Sequence, residues 1–495
     1  DYVYQDDSDN IEPRLGFAWS PGWESGFMAK LFGGPGQSSI RGGYGIYHGR
    51  IFQSVFSQGG AGLRFNPPNA LTYNQTSTTT APANPTIFSP TNLANPTNQF
   101  VFVPGPQTVR HPETLVDPGL EMPYTQQWTL RFERQLPFTS ALRVTYTGNR
   151  GIGLLRFAQD NLPLHDPVNG VRVANHPNNP AALRGQVIRL AADAQCAGTT
   201  GTTAVPFTAL CPSVVPIGAL EYSARVPRTD ERRPDGRFTT NLFVSNAAWS
   251  YYHGLQAEWE KRLTRGLNFQ MSYTFSKSMD TTSEATALGT AGDTNQNGNS
   301  SRTSRGLSLF HTPHRFTFYG TYRLPFFAGR RDFLGQTLGG WQLSVVTRLA
   351  AGTPFTVTNG TGVDLNFDGF AEVRPVIIDP SILGNGVDRP SISQMQLPRA
   401  AFRAPTLNDF GNGIIGRNTF HRDGQKITDI GITKYFEMPF EGHRLMVRAD
   451  MFNAFNHVWY GVPVADIANT NFGRITGTHP LYQPRIIQIA LRYTF

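Results

Sequence analysis

No stretch of this chain holds the roughly eighteen consecutive apolar residues that a membrane-crossing helix requires, so helical spans are excluded. Charge is scarce. Asp, Glu, Lys and Arg make up 16% of the 495 residues, where soluble domains carry about a quarter. The formal net charge is +8, yet its carriers are scattered rather than clustered. No basic run of the kind that tracks nucleic acid occurs, which excludes that class of partner. Enzyme signatures are missing too: there is no G-x-S-x-G, no H-E-x-x-H, no phosphate-cradling Gly-Lys-Ser and no paired-cysteine zinc spacing. The expectation is a protein that is not an enzyme. "HTPH" brings His311 and His314 close, but without further ligands it reads as the start of a strand. Amphipathic helices of convincing period are also lacking.

Cysteine appears twice, as Cys196 and Cys211 within "CAGTTGTTAVPFTALC". A disulfide between them would close a loop of about fifteen residues, worth about 3 kcal/mol in the chain-entropy model. The alternative is two unpaired small hydrophobes. The pair lacks the close spacing and extra ligands of a zinc site.

What the chain has in quantity is aromatic side chains, at 12%, together with 50 glycines and 36 prolines. Its mean hydropathy is negative. A transmembrane β-barrel gives the same sign, because half of each strand faces water and its loops are polar.

Period-two alternation is the dominant pattern. In the closing "IIQIALRYTF", Ile487, Ile489, Leu491, Tyr493 and Phe495 share one face, while Gln488, Ala490, Arg492 and Thr494 share the other. In "RGLNFQMSYTFSKS", Leu267, Phe269, Met271, Tyr273 and Phe275 alternate with polar residues. "YYHGLQAEWEKR" precedes it across "LTRG", which predicts a tight hairpin. "QQWTLRFERQL" and "SALRVTYTGNR" predict another, joined near Pro137. With "EPRLGFAW", "SIRGGYGIY", "HRFTFYGTYRL", "GGWQLSVVTRLA", "ITDIGITKYFE" and "HRLMVRADMFN", about eleven strands emerge. Most are about nine to eleven residues long, the length a tilted strand needs to cross a bilayer.

Short turns near Pro137 and Arg265 contrast with long polar connections at about 60–122, 159–240, 278–312 and 359–425. Short turns at one end and long loops at the other are the layout of outer-membrane barrels. Aromatic residues near strand ends (Trp19, Tyr44, Tyr47, Trp128, Tyr146, Trp249, Tyr251, Tyr252, Tyr273, Tyr322, Trp341, Tyr493) are candidates for interfacial girdles. The competing architecture is a soluble β-sandwich or propeller, whose strands also alternate but average five or six residues. The fold expected for residues 1–495 is therefore all-β, a transmembrane antiparallel barrel with long outer loops.

These segments, together with "MPYTQQWTLRFERQLP" and "GGWQLSVVTRLAAGTPFTV", occur in an order that resembles the C-terminal barrel region of TonB-dependent outer-membrane receptors of the Oar-like type. The resemblance spans nearly the whole chain. It implies energy-coupled uptake of a scarce bulky solute, a cell outer-membrane location and contact with membrane lipid. It also implies a TonB-type coupling partner engaged through an N-terminal plug, and a last strand read by the barrel-assembly machinery. No plug or coupling box is visible in this sequence, which begins at Asp1. Barrels of this family have 22 strands, so the expectation is that the natural polypeptide extends well upstream, or that this piece alone is not stable in a membrane. The competing function is an adhesion or structural surface barrel without transport.

Among candidate sites, "DLNFDG" sets Asp364, Asn366 and Asp368 at alternate positions before Gly369. This matches the first half of a calcium loop, but Pro375 stands where the bidentate Glu belongs. An Asx-rich turn is the alternative. "DTNQNG", 293–298, is a weaker copy. Alternation puts Arg131, Glu133, Glu258, Glu260, Arg262, Arg348, Arg448, Asp450 and Arg492 on the polar face. There they would line a solute path or form cross-strand pairs.

Overall fold

Alternating sequence favours extended chain, and extended chain leaves N–H and C=O groups that only a neighbouring strand can satisfy away from water. The computed structural model describes residues 7–51, 114–161, 171–172, 187–188, 241–284, 304–327, 330, 332–360, 374–387, 390–405, 414–438, 440 and 443–495. Eleven strands form the path of its main sheet. They are β1 (Arg14–Trp19), β2 (Ser38–His48), β3 (Tyr124–Leu136), β4 (Ser140–Asp160), β5 (Asn241–Thr264), β6 (Leu267–Asp280), β7 (His314–Arg323), β8 (Trp341–Ala350), β9 (Gln425–Glu437), β10 (Arg444–Phe452) and β11 (Ile486–Thr494). Each pairs antiparallel with the next in chain order. Among the described residues β1 and β11 do not pair with each other, and the sheet is open at those two edges.

Connections 20–37, 137–139, 265–266, 324–340 and 438–443 lie at one end of the sheet. Two of them are tight hairpins. Arg265 and Gly266 take φ of 51° and 78°, and Phe138 and Thr139 take 59° and 56°; left-handed turn residues of this kind match the twist of the flanking strands. Two short helices, α1 (Gly26–Phe32) and α2 (Phe333–Leu338), occupy connections 20–37 and 324–340. Asp332 caps α2 by accepting from the Gly335 N–H at 3.0 Å. Connections 49–123, 161–240, 281–313, 351–424 and 453–485 leave the opposite end.

The register carries two faces unbroken across the sheet. One row runs Phe17, Gly42, Leu130, Tyr146, Leu255, Phe275. Another runs Tyr322, Leu343, Ile432, Ala449, Ile489. On the reverse face one row reads Ser39, Glu133, Arg143, Glu258, Ser272, Thr317, Arg348. Among the described residues the middle of the apolar face is left open: Leu255 is 48% exposed, Leu491 71% and Ile489 74%. In a sandwich these side chains would form the dry centre between two layers. Instead, the buried apolar cluster of Phe355, Val357, Ile382, Phe402, Phe420, Ile467 and Phe472 comes from connections 351–424 and 453–485. This loop cap, not the sheet, is where apolar side chains leave water by packing on one another.

Strands β4 and β5 are 21 and 24 residues long. At about 3.3 Å per residue they overrun an apolar band of about 25 Å. Register shifts at Gly151–Leu154 and Leu154–Arg156 mark where they leave the regular sheet. Beyond that point Leu155 and Val244 pack with Leu120 in a second buried cluster.

Candidate solute-facing wall and loop cap

The polar face is a connected wall. At its centre is Arg143 on β4, which sequence alternation gave no reason to single out. Its Nε donates to Glu133 at 3.2 Å, its Nη1 to Glu258 at 3.4 Å and its Nη2 to Glu260 at 2.8 Å. One guanidinium thus ties three carboxylates from the strands on either side. The amide of Gln270 donates to Glu258, and the Tyr319 hydroxyl donates to Gln270. The network therefore reaches from β3 to β7. A second group lies on β8 to β10, where Arg348 meets Asp429 at 3.2 Å and Arg448 meets Asp450 at 2.8 Å. Arg131 donates to the Thr145 hydroxyl at 3.3 Å. Arg492 lies on this face opposite Met446, while Arg262, past the end of the regular register, is 3.8 Å from Glu260.

Above the wall, the cap is pinned by buried polar groups. Arg417, from connection 351–424, is enclosed and pairs with Asp280 at the end of β6. It also donates to the Ser304 carbonyl at 3.0 Å and the Ser283 hydroxyl at 3.2 Å. Arg156 donates to the Ser304 hydroxyl at 2.9 Å. Asn418 donates to the Leu307 carbonyl at 2.6 Å, and its own N–H reaches the Thr356 hydroxyl at 2.9 Å. The described parts of connections 281–313 and 351–424 are thereby locked onto the sheet. Buried charges need such complete partnering, because an unpaired one costs several kcal/mol.

His311 belongs to the same cap, whereas His314 begins β7 as the sequence indicates. The His311 ring accepts from the Ser278 N–H at 3.2 Å, and its ring centre lies 6.0 Å from that of His421. Burial first, then repulsion from His421 and Lys277, pushes its pKa down to about 4. Asp423, which accepts from the Tyr460 N–H at 2.9 Å, is pushed up by its burial.

Of the girdle candidates, Tyr47 and Tyr252 sit on the polar face, opposite Thr125 and Asn149. The others fall on the apolar face, grouped toward its two ends: Tyr44, Trp128, Tyr146, Trp249, Tyr251 and Tyr273 on the loop side, Trp19, Tyr322, Trp341 and Tyr493 on the turn side. Asp364, Asn366, Asp368, Cys196, Cys211 and the 293–298 segment lie outside the described residues. Among the described residues no cluster of His, Cys, Asp and Glu is suited to a metal ion.

No curated protein matches the chain. Solved structures do: the outer membrane transporter YddB from Escherichia coli, at 11% identity and a TM-score of 0.42, aligns over 98% of this chain and 41% of its own. The FrpB iron transporter from Neisseria meningitidis (F5-1 variant) aligns at 11% identity and a TM-score of 0.36, over 98% and 40%. The ferripyoverdine receptor of the outer membrane of Pseudomonas aeruginosa aligns at 9% identity and 0.34, over 98% and 33%. The chain spans less than half the length of each. The family model for the outer membrane beta barrel domain matches residues 1–488. The chain belongs to that family: it is an outer-membrane β-barrel domain, its sheet in up-and-down order, apolar on one face and hydrogen-bonded between side chains on the other.

Proposed function

We propose that the chain forms part of the wall and outer loops of a TonB-dependent receptor that takes up a scarce, bulky solute, as its resemblance to the Oar-like type implies. One observation carries this reading. The described parts of connections 351–424 and 453–485 fold into a cap locked by Arg417 and Asp280, above a wall of paired lumen-facing charges. A structured cap over a polar interior suits capture of a specific solute better than open diffusion. Among the described residues β1 and β11 have no further neighbouring strand, and backbone groups left unpaired at such an edge cannot be satisfied by lipid. Further strands of a larger barrel would close them. The coupling complex would act through a plug, and β11 would carry the signal for the barrel-assembly machinery.

The test is uptake by cells that express the complete natural polypeptide, compared with cells lacking it, for a panel of metal chelates and oligosaccharides too large to diffuse through porins. Accumulation that needs both this protein and an energised inner membrane is the expected result. Accumulation that persists after the proton gradient is collapsed would sink the energy-coupled reading. Loss of surface attachment with no uptake defect would favour an adhesion barrel.

A further inference from the structure

Charge on the apolar face of the strands has one sign. Arg134, Lys261 and Lys434 lie toward the turn end, and Arg150, Lys277 and Lys426 toward the loop end. Between them the face is uncharged, and across the regular register no Asp or Glu lies on it. The carboxylates Glu133, Glu258, Glu260, Asp429 and Asp450 all lie on the lumen face. On β5, Tyr251 and Lys261 are ten residues apart, about 25 Å along the barrel axis after tilt. The two cationic levels therefore fall at the two headgroup layers.

At the outer level the cations frame a built groove. A cavity of about 590 Å³ is lined by Trp128, Arg150, Trp249, Tyr251, His253 and Arg305, among others. The Trp249 and Tyr251 rings stack at 5.2 Å, and His253 continues the row at 6.1 Å from Tyr251 and 6.0 Å from Trp128. Trp128 is held flat across Gly148, where an added Cβ would come within 2.2 Å of the indole. Arg305 reaches over from connection 281–313, donating to the Tyr251 hydroxyl at 2.9 Å with its guanidinium 5.6 Å from the Trp249 ring. Neither Arg150 nor Arg305 forms an ion pair among the described residues, and both are exposed.

We infer that this groove binds the phosphate-bearing headgroup of an outer-leaflet glycolipid. The aromatic floor packs on the sugar and upper acyl carbons, and the two guanidiniums take the phosphate in bidentate fashion. Lys277, opposite His253 in the register, adds a third positive charge beside it. The site lies on the outside of the barrel and does not depend on whether a solute is transported.

The test uses the complete natural polypeptide in a non-ionic detergent, with native mass spectrometry and thermal unfolding as readouts. The probes are bis-phosphorylated lipid A, the same lipid with its phosphates removed, and inorganic phosphate. The wild type is expected to hold the phosphorylated lipid at least tenfold more tightly than the dephosphorylated one. R150Q/R305Q should lose that preference, while K261Q, at the far end of β5, should keep it. Should the double variant fail the heat-modifiable mobility check for folding, R305Q alone, outside the strands, carries the comparison. Equal retention of the two lipids by the wild type would overturn the inference. So would undiminished binding by the arginine variants, or competition by inorganic phosphate at the same concentration as the lipid.

Discussion

Arg417 and Asp280 are 137 residues apart in the chain and form one ion pair, in which the guanidinium donates to both the carboxylate and, at 2.9 Å, the backbone carbonyl. The Asp280 carboxylate also accepts from the Ser283 hydroxyl at 2.9 Å. Asp280 ends a barrel strand and Arg417 sits in the cap, so this pair is the joint between the two. Arg417→Met should leave a buried carboxylate without its cation, at about 3–5 kcal/mol. Because the cap and the sheet have separate packing, the loss should appear as rapid proteolysis within 281–313 and 351–424. The heat-modifiable mobility of the barrel should be unchanged. Resistance to protease equal to wild type would contradict the joint.

The His311 ring gives the cap a pH limit. Its pKa is lowered to about 4 from an ordinary 6.5, so the folded cap holds the neutral ring. Above pH 6.5 the ring is neutral folded and unfolded, and cap stability is at its maximum. As pH falls below that value the unfolded chain takes the proton first, and stability drains away until the folded ring also protonates near pH 4. The whole loss is about 3 kcal/mol. Hydrogen exchange of cap amides should therefore accelerate between those limits, and His311→Gln should flatten the profile. A variant with the same pH slope as wild type would assign the effect to another group.

The strands were legible because alternation survives in each of them without help from neighbours. "RGLNFQMSYTFSKS" reads as β6 by itself. Arg143 was not legible: its importance lies in facing Glu133 on one side and Glu258 on the other, a fact of register between three strands. The cap was hidden for a similar reason. Phe402, Phe420 and Phe472 touch at 5.4 and 5.7 Å, but they sit in polar connections with no period to reveal them. The connection 453–485 does not stand out in the sequence, because Ile467 and Phe472 look like loop residues until the cap buries them. The length of β4 and β5 beyond the membrane band also escaped, since the alternation there is interrupted by the shifts after Gly151.

Face assignment predicts an asymmetry between adjacent residues. Leu255 and Gln256 lie side by side on β5, one on the apolar face and one donating to the Ser272 hydroxyl at 3.0 Å across the wall. Leu255→Arg at mid-membrane depth should cost about 2–4 kcal/mol. Gln256→Arg keeps its head in the wet interior and should cost about 1 kcal/mol, the worth of the lost hydrogen bond. Urea titration in lipid vesicles, read by tryptophan fluorescence, separates the two. Equal costs would contradict the orientation.

The acidic loop around Asp364, Asn366 and Asp368 carries a separate proposal, that it binds calcium. Its incomplete ligand set predicts weak affinity, in the range of about 0.1–1 mM typical of extracellular modules. Calcium should protect the 359–425 connection from protease, and D364N/D368N should abolish that protection while leaving magnesium without effect in either form. Protection that survives in the double variant would assign the loop to an Asx-rich turn. Cys196 and Cys211 are tested in the same preparation: a disulfide predicts no maleimide labelling of the denatured chain until it is reduced.

Arg143 is the place where electrostatics and packing are separable. Its side chain is 21% exposed and those of Glu258 and Glu260 are 16% and 29% exposed, so solvent screens the pairs in part. Arg143→Met keeps most of the side-chain volume but leaves Glu133, Glu258 and Glu260 facing one another. That repulsion should destabilise the barrel by about 1–2 kcal/mol, and the deficit should shrink as salt is raised from about 0.05 to 0.5 M. Neutralising the carboxylates in the same background, as R143M/E133Q/E258Q/E260Q, should then restore most of the lost stability, because an uncharged wall no longer needs a cation at its centre. If the quadruple variant stays as unstable as R143M, the guanidinium acts through its packing and the geometry of its hydrogen bonds to those three side chains, and not through its charge.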